Sequence, residues 1–271
     1  MIRRTRVLVG HSLRRVRAAL IVLAVLLAAF QFLLTQVAAF LMRQGGFSQL
    51  SDLIPDFVRT AAGPEALAFM SFGGVVSLGY FHPIVITALV GLMIAIATES
   101  AGEIEARFVD LTLARPLWRQ VLVTRTVVVL ACAGTLMLVA MLAGTWTGLT
   151  CCVPADAERP SFGVLVRLAT TLATMMACWG GLSLLIGMLS RRRSVAASIA
   201  GVLALAAYLL DYLGRAWDPA AGISRLSPFH YFEPMTIIMG QSLSIFDAAL
   251  LLMVGVAGSV ASYIVIGQRD I

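Results

Sequence analysis

Six long apolar runs constrain this chain more than any other feature. Ala18–Met42, His82–Thr98, Val121–Leu149, Phe162–Leu189, Ser194–Leu213 and Phe246–Gly267 are proposed as helices that cross a bilayer's hydrocarbon core, the second of them short unless it begins before Pro83. A transmembrane barrel instead needs strands of about 10 residues with alternating polarity. Composition agrees with the helical choice. The 271 residues are 60% hydrophobic and 13% charged, against about 25% charged in a typical soluble domain. Mean hydropathy is +0.94. The expected fold is therefore an all-α membrane protein with six transmembrane helices.

Residues Ala66–Phe81 are apolar but short and carry Gly73, Gly74 and Gly79. Three readings are open: a re-entrant or interfacial segment, an extension of the second span across a kink at His82-Pro83, or a seventh span. Arginine placement argues against the seventh span. With six spans and an inner N-terminus, 14 of the 20 arginines face the inner side, which agrees with the positive-inside rule. A seventh span would carry Arg107, Arg115, Arg119 and Arg125 outside. Both termini are thus expected in the cytoplasm. Trp146 and Trp217 fall near outer span ends, where indoles favour the headgroup zone, whereas Trp179 sits mid-span.

The N-terminus resembles a signal peptide in its charge, with six arginines between Arg3 and Arg17, but the apolar run that follows exceeds a 7–15 residue h-region. It reads as a retained first span. At about 100° per residue, Ile2, Val9, Leu13 and Val16 share an arc of about 60°, opposite the arginines. Residues 1–17 are expected to form an amphipathic interfacial helix that lies on the anionic inner leaflet before turning into the span. The bland alternative is a topogenic charge cluster.

All 20 basic residues are arginine. A phosphate-binding P-loop requires a lysine on the β- and γ-phosphates, so this chain is not a conventional P-loop ATPase. The cysteines Cys132, Cys151, Cys152 and Cys178 have no metal-ligand spacing, and no metal site is expected.

One stretch interrupts the apolar pattern: "TESAGEIEARFVDLTLARPLWRQ", Thr98–Gln120. Within it Ile104, Phe108 and Leu111 recur at helical spacing, and Glu103 precedes Arg107 by four residues, the favoured order for an ion pair. Pro116 opposes helix at Arg115. The expectation is a short amphipathic helix on the cytoplasmic side, set against the plainer reading of a solvated loop. A hydrophobic stripe, both charge signs and an immediate return into the membrane suit a knob that docks into a soluble partner.

The run "PIVITALVGLMIAIATESAGEIEARFVDLTLARPLWRQVLVTR" resembles the signature region of the ABC type-2 transporter permease family. Further matching pieces are the amphipathic N-terminal arm, "SRRRS" at Ser190–Ser194, "LSPFHYFEP" at Leu226–Pro234 and "GQRDI" at Gly267–Ile271. Arg125 stands where that family often has a lysine, and the outer segment 43–81 exceeds a minimal connector. The resemblance implies a single six-span permease domain over residues 18–271, two subunits per complex, and a bacterial cytoplasmic membrane location. It implies that residues 99–119 form a coupling helix seated in an ATPase cleft, with Glu99, Gly102, Glu103, Glu105, Arg107, Phe108, Leu111, Arg115, Pro116 and Arg119 as its coupling residues. The segment 214–245, with Pro219, Pro228 and Pro234, would supply re-entrant outer helices.

The implied partners are two cytoplasmic ABC ATPase subunits, a second copy or a related permease, and membrane lipids, with no nucleic acid. ATP and Mg belong to the ATPase; no cofactor is expected on this chain. The small-residue set Ala196, Ala197, Ser198, Ala200 and Gly201 is a candidate dimer face, and Gly180, Gly181 and Gly187 allow close helix approach. Arg167 and Asp211, near outer span ends, are a candidate gate pair, with snorkelling as the simpler account. An intramembrane metalloprotease is disfavoured because none of the three histidines is followed by Glu. An ion-coupled transporter would place paired ionisable groups or broken helices near the midplane, and no such set is evident.

Overall fold

The computed structural model describes residues 2–44, 71–106, 120–153, 159–217, 219 and 221–268, with backbone alone for 2–8. The described residues contain six helical segments long and apolar enough to span a membrane. Helix α1 is Ile2–Arg43, α2 is Phe72–Ser77, α3 is Pro83–Ala97 and α4 is Glu99–Glu105. Next come α5 at Gln120–Cys152, α6 at Phe162–Leu189 and α7 at Arg193–Ala216. Two short helices, α8 (Ala221–Ser224) and α9 (Pro234–Ile238), precede α10, Ile245–Gln268. The chain is a multi-pass membrane protein.

The bundle has two unlike ends. One gathers the N-terminal part of α1, all of α4, the starts of α5 and α7 and the end of α10, with Arg14, Arg15, Arg17, Arg125, Arg191, Arg192 and Arg193. We call it the arginine-rich end. The opposite end carries α2, α8 and α9.

One boundary differs from the sequence expectation, and another takes one of the readings left open, the extension of the second span across His82-Pro83. Helix α1 continues through Arg17 and Ala18 without a turn. No proline interrupts it, and the neighbouring residues are helix formers (Arg, Ala, Leu), so nothing in the covalent chain favours a bend there. The second span is not one rod. Residues Phe72–Tyr80 form α2 and a 3-10 turn, and α3 starts afresh at Pro83, with the His82 ring nitrogen accepting from Ile84 N–H at 3.3 Å. Proline fits the first helical position because its missing N–H would have no partner there. Together the pieces make one candidate span, Phe72–Glu105, rather than a seventh crossing.

Glycines set the closest helix approaches. Helices α6 and α10 cross where Gly181 lies against the Gly255 carbonyl and Gly258 against Gly181 backbone; a methyl group at any of the three would overlap main chain. Gly144 of α5 likewise rests on the Ala28 carbonyl of α1. Lipid tails are as apolar as leucine, so helices in a bilayer gain by close packing rather than by leaving solvent. Gly187 similarly faces the Ala97 carbonyl. The proposed dimer face is only half available, because Ala196 and Ala200 are fully buried within the chain.

At the opposite end the chain after α7 folds back along the bundle. Ser227 Oγ donates to the Ala207 carbonyl at 2.7 Å, nine residues before the end of α7. Phe229, in the 3-10 turn Pro228–Tyr231, packs 5.7 Å from Trp179 and 5.5 Å from Tyr208, ring centre to ring centre. Trp179 is therefore a core residue and not an interfacial one; Trp146 and Trp217 are exposed toward this end.

Candidate functional site

Helix α4 arises because Thr98 interrupts the second span without ending its helical course. Thr98 keeps φ −84° and ψ −3°, and its hydroxyl donates to the Ile94 carbonyl at 2.8 Å. The chain re-enters helix at Glu99, and Ser100 and Ala101 are fully buried against the bundle. Seven residues later Ala106 caps the helix. The expected element, 99–119, runs on past this helix. Arg107, Phe108, Leu111, Arg115, Pro116 and Arg119 lie outside the described residues.

Each of the three glutamates on α4 reaches a different spanning helix. Glu99 is buried, and its Oε1 lies 3.1 Å from Arg15 Nη1 on α1. Glu103 Oε2 accepts from Arg125 Nη2 on α5 at 2.8 Å. Glu105 Oε2 accepts from the backbone N–H of Arg193, the first residue of α7, at 3.0 Å. That N–H has no partner within its own helix, and Arg192 offers no side-chain cap. A carboxylate at a helix N-terminus also meets the positive end of the peptide dipoles. Glu105 thus caps a helix 88 residues away.

Gly102 gives this arrangement room. A Cβ there would stand 3.1 Å from Arg193 Cδ and 3.4 Å from its Cβ, so the aliphatic stem of Arg193 crosses the space a side chain would need. The Arg193 guanidinium then donates to the Ala95 carbonyl at 3.4 Å. Between these groups is a cleft of about 590 Å³ at the arginine-rich end, edged by His11, Ser12, Arg15 and the three glutamates.

The electrostatics decide which tie matters most. Arg125 has only 8% of its surface exposed, and Glu103 is its carboxylate. Breaking a buried pair leaves an uncompensated charge, which costs more than an exposed pair ever contributes. Arg15, by contrast, has a side chain 60% exposed, so its tie to Glu99 is worth little on that side.

Sequence periodicity assigned Glu103 to Arg107 and did not find Arg15, Arg125 or Arg193 as partners. The described partner of Glu103 is Arg125. The expected Arg167–Asp211 pair is not formed. Asp211 is buried and bonds Arg215 Nε at 3.0 Å, one turn along its own helix, with His230 Nδ1 at 3.8 Å. The i, i+4 geometry gives Asp211 Oδ2 a local partner, while Asp211 Oδ1 and Arg167 Nε are both buried without a hydrogen bond.

Among the described residues no cluster of His, Cys, Asp or Glu has metal-binding geometry. The four cysteines are free; Cys178 is buried and Cys132 exposed on the flank of α5. No protein-family model matches the chain, and neither a curated protein nor a solved structure matches it significantly.

Proposed function

We propose that the chain is the permease subunit of an ATP-driven exporter, and that α4 with the residues after it receives mechanical work from a separate cytoplasmic ATPase. The supporting observation is the three-way attachment of α4. Its carboxylates bind α1, α5 and α7, and its backbone follows directly from α3. A push on this element would be distributed to four helices at once.

In this reading the arginine-rich end is cytoplasmic, as an excess of basic residues favours. ATP and Mg are held by the partner, and two ATPases serve two permease copies. The chain itself catalyses nothing. ATP-driven closure of the ATPase pair tilts the 99–119 element, the inner ends of the helices follow, and the bundle rearranges to release cargo outward. The fold-back between α7 and α10 takes the part of re-entrant helices near the exit, and Arg167 and Asp211 stand near that exit without acting as a pair.

The test is co-purification from native membranes in mild detergent, followed by an ATPase assay. An ATPase should accompany the protein. In the Glu103→Ala/Phe108→Ala variant, partner-stimulated hydrolysis should fall while membrane insertion persists. Absence of any ATPase, or unchanged hydrolysis in an inserted variant, would overturn the proposal.

A further inference from the structure

A trough of about 630 Å³ lies between α6, α7, α10 and the Pro228–Tyr231 turn. Leu203 and Leu210 of α7, Leu250 and Leu251 of α10, and Trp179 of α6 form much of its wall. Leu203 to Leu210 alone accounts for about 10 Å of depth at 1.5 Å per residue. The trough runs along helices long and apolar enough to span a membrane, and its open side would there meet acyl chains.

Its polar groups are distributed unevenly. Ser227 Oγ is committed to the Ala207 carbonyl and to Phe229 N–H, and Tyr231 Oη donates to the Arg225 carbonyl at 2.9 Å. Arg225 contributes the cation. It is exposed at the rim, and among the described residues its guanidinium has no ion-pair partner, whereas Arg215 nearby is matched by Asp211. Leu226, next to it, is 80% exposed, so the rim presents apolar surface beside the cation. At the other extreme, the Trp179 indole N–H is buried and donates to nothing.

We propose that this trough binds an anionic phospholipid of the adjacent leaflet, with one acyl chain between α7 and α10 and the phosphate headgroup on Arg225. An arginine without an ion-pair partner among the described residues, beside an apolar slot, complements an acidic head joined to a hydrocarbon tail. A zwitterionic head brings its own cation to the same rim and gains less. The site is independent of the coupling element at the other end of the bundle.

The experiment uses the full chain in phosphatidylcholine nanodiscs containing a small fraction of phosphatidylglycerol with a photoreactive diazirine on one acyl chain. Label should map to peptides containing Leu203–Leu210 and Leu250–Val254, and unlabelled phosphatidylglycerol should compete where phosphatidylcholine does not. Arg225→Gln should reduce labelling about fivefold, equivalent to about 1 kcal/mol. Ala206→Phe, which fills the trough and leaves Arg225 in place, should reduce it as well. Equal labelling of every lipid-facing helix, equal competition by both lipids, or unchanged labelling in both variants would overturn the proposal. No ATPase is present in this assay, so failure to find one would leave its result intact.

Discussion

Removing the Glu103 carboxylate should destabilise the protein through a residue on another helix. In Glu103→Ala the Arg125 guanidinium, 8% exposed, loses its carboxylate at 2.8 Å. With charge centres about 4 Å apart and an effective dielectric constant of about 20, the lost attraction is about 4 kcal/mol. Glu103 keeps 21% of its side chain exposed, so water already screens part of that attraction, and the expected net cost is about 2–3 kcal/mol. Arg125→Met removes the buried charge itself and leaves a carboxylate that can rotate toward water, at about 1 kcal/mol.

The double variant should then cost no more than about 1–1.5 kcal/mol, which gives a coupling energy of about 2 kcal/mol. The assay is unfolding of the four proteins by SDS in mixed micelles, followed by the fluorescence of the four tryptophans. A coupling below about 0.5 kcal/mol, the level of independent sites, would refute the argument that α4 is fastened to α5 by a buried charge.

Two further outcomes follow from packing. Gly181→Leu forces a side chain into the Gly255 carbonyl and should cost at least about 1–3 kcal/mol in the same assay, with disruption of α6–α10 proximity in cysteine crosslinking; parent-like crosslinking would contradict the close crossing. Gln31 is fully buried on α1, and neither end of its amide finds a partner. Gln31→Met keeps the length and removes the unpaired groups, so stability should rise by about 1–2 kcal/mol, and a loss of stability would show that the amide is satisfied in the membrane.

The spans were legible in the sequence because the physical requirement is one-dimensional: a run of apolar residues must equal the bilayer thickness. The α4 ties were not. Glu103 and Arg125 are 22 residues apart and Glu105 and Arg193 are 88 apart, and such pairs depend on how whole helices pack. Local spacing offered Arg107 to Glu103, and four-residue periodicity has no means of ranking that partner against a buried one. Gly102 shows the same limit. Its place in the motif was visible, but its close neighbour is the stem of Arg193, which arrives from a distant turn of chain. Asp211 erred the other way. Its partner was sought on a neighbouring span and found one turn along its own helix.

The unbroken course of α1 has a mechanical consequence. Forty-two residues at 1.5 Å make a rod of about 63 Å, roughly twice the hydrocarbon thickness. Arg43 donates to the Cys152 carbonyl and Gln36 to Cys152 Sγ near its far end, and Ala28 lies against Gly144 midway, so α1 is seated along α5 and the two would tilt as one body. A tilt of about 5° of that pair about its far end would displace the other end by about 5 Å, close to one helical turn. Glu99 meets α1 at Arg15, about 42 Å from Arg43 at the same rise, through a contact that is weak on its exposed side, so Glu103 and Arg125 form the stronger hold on this pair.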